Sequence, residues 1–388
     1  MNLFDSFFLG GFECSSHRRL DGRQLDVLAA TGHDRHAAAD FRLLADLGVR
    51  SVRDGLRWHL IERTPGRYDW STFLPTLRAA EATGIQVVWD LCHYGWPEHL
   101  DIWSPAFPDR FAAFAAATAR IVREETGGVP FYTPVNEISY WAWAAGNEAL
   151  FQPLGRGRGY ELKRQLVRAS LSAIQAVRSV ERGARIVLTD PVIHVVADVS
   201  RPQDREPADA MRRTMFEAWD MIAGRTDPDL GGSPDALDIL GVNYYWNNQW
   251  ALGGAPLGLG HELHRPLHLL LLEVWERYRR PLFLAETGAE AENGPAWLRY
   301  VSGEVRQAIG VGAPVQGVCV YPVLDYPGWE NDRHCACGLI AAHGPHDWSA
   351  RRVRPAMAAE LAREQEAFEV FFSGGHSVRA RDRAAGAW

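Results

Sequence analysis

Lysine is nearly absent from this 388-residue sequence: Lys163 is the only one, and the rest of its 41 Lys and Arg residues are arginine. Schiff-base chemistry, pyridoxal phosphate binding and a Walker-type phosphate loop all need a placed lysine. Lys163 falls in a polar helical stretch, Tyr160–Arg182, where a solvated position is expected, so those chemistries drop out. Cysteine is also sparse. Cys14, Cys92, Cys319, Cys335 and Cys337 are odd in number and scattered, which fits reduced thiols in the cytoplasm better than a disulfide framework. No run of about 18 apolar residues is present to cross a membrane. The apolar stretch within Met1–Gly11 has no basic residues before it and reads as a strand, not as a signal peptide. The formal charge of −7 argues against a general nucleic-acid surface.

What is present is enough apolar material for a large core, 47% of residues, arranged as an alternation. Ser6–Cys14 reads as a strand. Asp34–Leu47 then has Phe41, Leu44, Ala45 and Leu47 at helical spacing, closed by Gly48. The strand–helix pairs that follow are Val49–Asp54 with Ser71–Thr83, Ile85–Leu91 with Pro108–Glu125, and Val129–Val135 with Tyr160–Arg182. Ala184–Asp190 with Pro207–Ala223, Leu237–Tyr245 with Pro266–Arg279, Pro281–Glu286 with Pro295–Ile309, and Pro314–Tyr321 with Val353–Phe371 complete them. Eight such units predict a single α/β domain, a (β/α)8 TIM barrel over residues 1–372 with its site at the C-terminal face of the strands. An open doubly wound sheet is disfavoured, because no Gly-rich fingerprint follows the first strand. Residues 373–388 are Gly, Arg and Ala without periodicity and read as a poorly ordered tail.

Two glutamates stand at strand ends: Glu137 after Val129–Val135 and Asn136, and Glu286 closing Pro281–Glu286. A carboxylate where a buried strand meets a loop hinders folding and serves chemistry. Two of them, about 150 residues apart, suggest the paired carboxyls of glycoside hydrolysis. The loops after strands are the longer ones and carry Trp103, Trp141, Trp143, Trp246, Trp250 and Trp329. Such rings stack on sugar faces or pack loops on the barrel.

These segments together resemble glycoside hydrolase family 1, the β-glucosidase-like retaining enzymes of clan A. Val135-Asn136-Glu137 is similar to the family's T-x-N-E-P segment, and Phe283–Gly288 to its I-T-E-N-G segment. Asp238–Tyr245 matches D-F-L-G-x-N-Y-Y, and His93-Tyr94-Gly95-Trp96-Pro97 stands where the family has H-W-D-x-P. Arg53 precedes Trp58 as in R-F-S-x-x-W. The matches run in order over nearly the whole chain. The resemblance implies Glu137 as acid/base and Glu286 as nucleophile, supported by Arg53, Asn136, Asn243 and Tyr245. It implies His93, Glu13, His17, Tyr321, Asp325 and Trp329 as substrate-binding residues. It implies a carbohydrate or glycoside substrate, no cofactor, no metal, and no nucleic-acid or membrane partner; it sets no oligomeric state.

The departures shape the expected specificity. The stretch Tyr321–Trp329 corresponds to the family's W-S-x-x-D-N-F-E-W, with Tyr321 for the first Trp and Gly328 for the Glu that grips the 4- and 6-hydroxyls. The family's sugar-binding Gln is replaced near Glu13 and His17. Glu330, Asp332 and Arg333 are candidates to replace the lost contact, and a glycone other than plain glucose is expected, including an acidic one reached by Arg333. The alternatives are a transglycosidase on the same site, a catalytically silent sugar-binding barrel, and a metal-dependent barrel using His17, His33 and His93. His334-Cys335-Ala336-Cys337 with His343 and His346 is a weak metal pattern. Gly155-Arg156-Gly157-Arg158-Gly159 reads as a solvated loop or, less readily, an anion cradle.

Overall fold

The computed structural model describes residues 3–342 and 351–375. Eight parallel strands close a barrel in sequence order: β1 (Phe8–Gly11), β2 (Ser51–Gly55), β3 (Gln86–Cys92), β4 (Phe131–Val135), β5 (Arg185–Pro191), β6 (Ile239–Asn243), β7 (Leu282–Thr287) and β8 (Val315–Val320). The helices that return the chain outside it are α1 (His33–Asp46), α2 (Leu74–Thr83), α3 (Phe107–Glu125), α4 (Gly159–Val180), α5 (Glu217–Ile222), α6 (Leu267–Tyr278), α7 (Asn293–Gly310) and α8 (Pro355–Ser373). All eight expected strand–helix units are present.

The differences lie at loops and ends. The helix expected at Pro207–Ala223 is split into Arg205–Arg213 and α5 by the tight turn Thr214–Phe216. A short helix, Ile138–Trp141, runs into a π-helical turn, Ala142–Asn147, where only a loop was expected. Ser373 belongs to α8, and residues 376–388 of the expected tail lie outside the described residues. So do His343 and His346. Among the described residues no helix is long and apolar enough to cross a membrane.

The inside of the barrel is a small apolar cluster of its own. Leu9, Val88, Phe131, Val187, Ile239, Phe283 and Cys319, one from each of seven strands, meet there with Phe4. Phe4 sits against Phe131 and Phe283 at ring distances of 5.6 and 4.8 Å. Side chains alternate along a strand, so the next inward layer carries Gly11, Asp90, Thr133, Thr189, Gly241, Ala285 and Tyr321. Arg53 of β2, which is fully buried, enters this layer. Polarity therefore begins one step above the apolar floor, on the side where the strands end. Gly11 is needed there, because a Cβ at that position would overlap the ring of Tyr321.

Candidate active site

Strand geometry delivers the two glutamates differently. Glu286 follows the inward Ala285 and is itself turned into the barrel mouth. A register shift makes this possible: Val242 pairs with Leu284, but Asn243 pairs with Glu286, one residue being skipped. Its Oε1 accepts from Arg53 Nη1 at 3.0 Å, and its Oε2 accepts from the Tyr245 hydroxyl at 3.0 Å. Glu137 lies just past β4 in left-handed backbone, φ 48°, at the start of the Ile138–Trp141 helix. Its Oε1 accepts from Asn243 Nδ2 at 2.9 Å, and its Oε2 accepts from the Tyr94 hydroxyl. Both carboxyls are buried, at 9% exposure for Glu137 and 4% for Glu286.

Burial raises the pKa of both. For Glu286 burial is followed by the charge of Glu137, and together they push it up to about 7 while Arg53 pulls it back. The two are therefore electrostatic neighbours whose titrations are linked. Arg53 favours the ionised form of Glu286.

Arg53 organises the polar layer above the apolar floor. Nη1 also donates to the Ala285 carbonyl at 2.8 Å, and Nη2 donates to Asp90 at 2.6 Å and to Asn136 Oδ1 at 3.0 Å. Burial opposes its charge, and Asp90 with Glu286 outweighs burial. Asn136 Oδ1 also accepts from Thr189 Oγ1 at 2.7 Å. With its oxygen so occupied, Asn136 turns its amide Nδ2 to His93 Nε2 at 3.0 Å. His93 Nε2 must then accept, and Nδ1–H donates to Asp90 at 3.0 Å. Burial opposes charge on His93, and the carboxylates of Asp90 and Glu13 more than offset it.

Glu13 lies at the end of the β1 row. Its Oε1 accepts from the Ser15 backbone N–H at 3.0 Å and from the Ser15 hydroxyl, and lies 3.8 Å from His93 Nε2. Burial raises its pKa, and nearby Glu286 adds to the rise. The Tyr321 hydroxyl, His17 Nδ1 and Trp329 Nε1 are buried polar atoms with no hydrogen-bond partner. Tyr321 lies parallel to His93 at 6.4 Å, and His17 is edge-on to Trp329 at 4.9 Å. Burial lowers the His17 pKa to about 3, so this ring is neutral.

Several expectations are corrected. Asp325 is not available to a ligand: its carboxylate accepts from Arg354 at 2.5 Å, His334 at 3.2 Å and the Gly338 N–H at 2.9 Å, and so pins the loop after β8. Asp332 pairs with Arg19 and Arg23, and Arg333 with Glu290, while Glu330 is exposed. A Cβ at Gly328 would stand 3.1 Å from Asn331 Oδ1 and 3.2 Å from the Arg333 side chain, tighter than ordinary contact. Lys163 is buried, with its amine 2.5 Å from Glu217, and not solvated. Arg158 of the Gly-Arg repeat stacks on Trp103 at 3.6 Å and pairs with Glu161. His33 is held between Asp40 and Asp54 at 2.7 and 3.0 Å, so His17, His33 and His93 do not converge.

Three residues escaped the sequence reading: Tyr94, Asp90 and Thr189. Asp90 and Thr189 carried a signal, a polar residue at an inward position of an otherwise apolar strand. Cys14, Asp90 and His93 lie close enough to hold a metal ion. The donor set does not fit one, because His93 Nδ1 holds the proton that it gives to Asp90, and the same Asp90 oxygen is bonded to Arg53. A cavity of about 280 Å³ opens beside Tyr94, lined by Ser16, Gln24, Trp96, Trp103 and Gln152.

No protein-family model matches the sequence, and no curated protein does. Solved structures match over nearly the full length. A β-glucosidase from Thermotoga maritima in complex with glucoimidazole is similar at a TM-score of 0.74 and 16% identity, over 94% of this chain and 99% of that one. A family 1 β-glucosidase from Thermotoga maritima gives 0.73 and 17%, over 94% and 99%. The AHE enzyme from Alicyclobacillus herbarius gives 0.75 and 17%, over 95% and 99%. At this identity the likeness is one of fold, an eight-stranded (β/α)8 barrel of the kind that family 1 β-glucosidases have.

Proposed function

We propose that the protein is a retaining β-glycosidase, a divergent member of glycoside hydrolase family 1, working by double displacement. One observation carries this reading: two buried, mutually interacting carboxyls stand at the barrel mouth, each held by two hydrogen bonds, with the arginine on Glu286 and not on Glu137. That asymmetry suits an ionised nucleophile beside a protonated acid. Glu137 gives its proton to the glycosidic oxygen while Glu286 attacks the anomeric carbon, forming a glycosyl ester as the leaving group departs. Glu137, now ionised, takes a proton from water, which attacks the same carbon and releases Glu286.

Arg53 and Tyr245 align Glu286. Asn136 grips the sugar 2-hydroxyl by turning its Nδ2 from His93, freeing His93 Nε2 for a neighbouring hydroxyl. The cavity lined by Tyr94, whose hydroxyl meets Glu137, is the space offered to the leaving group. The glycone differs from plain glucose, because Gly328 offers no carboxylate and the carboxylate of the pocket is Glu13, offered from the end of the adjacent strand β1. The five unpaired thiols support a reducing, cytoplasmic setting.

The test is a panel of 2-deoxy-2-fluoro glycosides followed by peptide mapping. The reading expects a covalent adduct on Glu286 and, with a turned-over substrate, retention at the anomeric carbon by NMR. Label on another residue, or inversion, would sink it.

A further inference from the structure

Tyr94 has no part in the roles assigned above, yet it touches the acid/base directly. Its hydroxyl donates to Glu137 Oε2 and lies 3.4 Å from Asn136 Nδ2, which donates to it in turn. The ring is fully buried and boxed by Trp141, Phe151 and Trp329 at 5.6, 5.6 and 5.4 Å. Both ends of this hydrogen bond sit in left-handed backbone, Tyr94 at φ 66° and Glu137 at φ 48°. Bulky L-residues adopt that region only when their surroundings hold them there. The loops after β3 and β4 are thus both strained at the two residues that meet. Glu137 Oε2 is the acceptor this hydroxyl reaches among the described residues.

We propose that Tyr94 is a positioning residue that holds Oε2 of Glu137 as a fixed acceptor and leaves Oε1, beside Asn243, to carry the catalytic proton. This rests on the glycosidase reading above. Asn243 has the complementary freedom. Its Nδ2 donates to Oε1, and its Oδ1 is buried without a partner. Turned over, the same amide presents Oδ1 to accept the proton of Oε1. One amide orientation matches the ionised carboxylate and the other the protonated one, while the Tyr94 bond stays unchanged. In the first half-reaction the Oε1 proton passes to the leaving oxygen; in the second, Oε1 takes a proton from water.

The groups that face Glu137 are His93 just after β3, Asp190 on β5, Tyr245 after β6, Glu286 on β7 and Tyr140 on its own helix. Tyr94→Phe alters none of them. It removes a donor from the ionised carboxylate, so the basic limb of the kcat/KM profile should move up by about 1–2 pH units. At pH 7 the water-attack step should slow about tenfold, with the glycosyl-enzyme accumulating. Tyr94→3-fluorotyrosine keeps the shape and strengthens the O–H donor, and should move the limb down. An unmoved limb in both variants, with rates lowered evenly or unchanged, would overturn the assignment. If the wild-type protein is not labelled and turns over no glycoside, the glycosidase reading fails instead.

Discussion

Replacing Glu286 with Gln should abolish turnover and, at the same time, stabilise the fold above neutral pH. The carboxyl is 4% exposed. Burial, then the charge of Glu137, raises its pKa from 4.5 to about 7. For an acid with a raised folded-state pKa the sign is the unusual one. Below 4.5 the side chain is protonated in both states and adds no penalty; above 7 the folded state bears the full cost of ionising it. That gap corresponds to about 3 kcal/mol. Gln keeps an oxygen for Arg53 but cannot also accept the Tyr245 hydroxyl, which returns about 1 kcal/mol. The net gain is about 2 kcal/mol at pH 8. With an unfolding entropy of about 0.8 kcal/mol/K for a chain of this length, the midpoint should rise by about 2–3 °C. Melts of both proteins from pH 4.5 to 8.5 test this. The difference should open as pH rises and vanish or reverse at the acid end. A variant less stable at pH 8, or a flat difference, would mean that Arg53 fully compensates Glu286.

Glu137→Ala should slow alkyl glycosides at least a hundredfold while sparing activated aryl glycosides in the first step, because good leaving groups need little protonation; equal losses on both would make Glu137 structural. Glu13→Gln restores a donor at the glycone and should raise kcat/KM on an aryl β-glucoside about tenfold relative to the preferred substrate; an unchanged ratio in the same panel removes Glu13 from sugar selection. His33 gives the stability a basic limit. Burial opposes its charge, but Asp54 and Asp40 raise it to about 9 from 6.5, so its contribution is complete below 6.5 and lost as pH rises through 9, about 3 kcal/mol in all. Denaturant midpoints of His33→Gln should lack that loss, and a wild-type midpoint constant from pH 6.5 to 9.5 would contradict it.

The barrel was legible because eight apolar runs alternate with helical periods, a pattern that survives uncertainty of two or three residues at each end. Glu137 and Glu286 were legible because a carboxylate at the end of a buried strand is rare without a purpose. What stayed hidden depended on direction and not on identity. Asp325 occupies a motif position, yet Arg354, 29 residues later, claims its carboxylate. Lys163 sits in a polar stretch, but the helical face it occupies packs inward against Glu217. Tyr94 was invisible as a functional residue because its role depends on a positive φ, and no local pattern announces one in a tyrosine.

The charge balance of the mouth explains why so many neutral donors surround the pair. Glu13, Asp90, Glu137 and Glu286 are all buried there, and Arg53 is the cation among them, shared between Asp90 and Glu286. A second arginine would hold Glu137 ionised and remove the acid. Hydroxyl and amide donors do something that a cation cannot: they orient a carboxyl and still allow it to take up a proton. Tyr94 and Asn243 on Glu137, and Ser15 on Glu13, are of that kind. On the glycosidase reading proposed above, Arg53 stands against the carboxyl that must ionise to attack, and neutral hydrogen bonds hold the one whose proton must come and go.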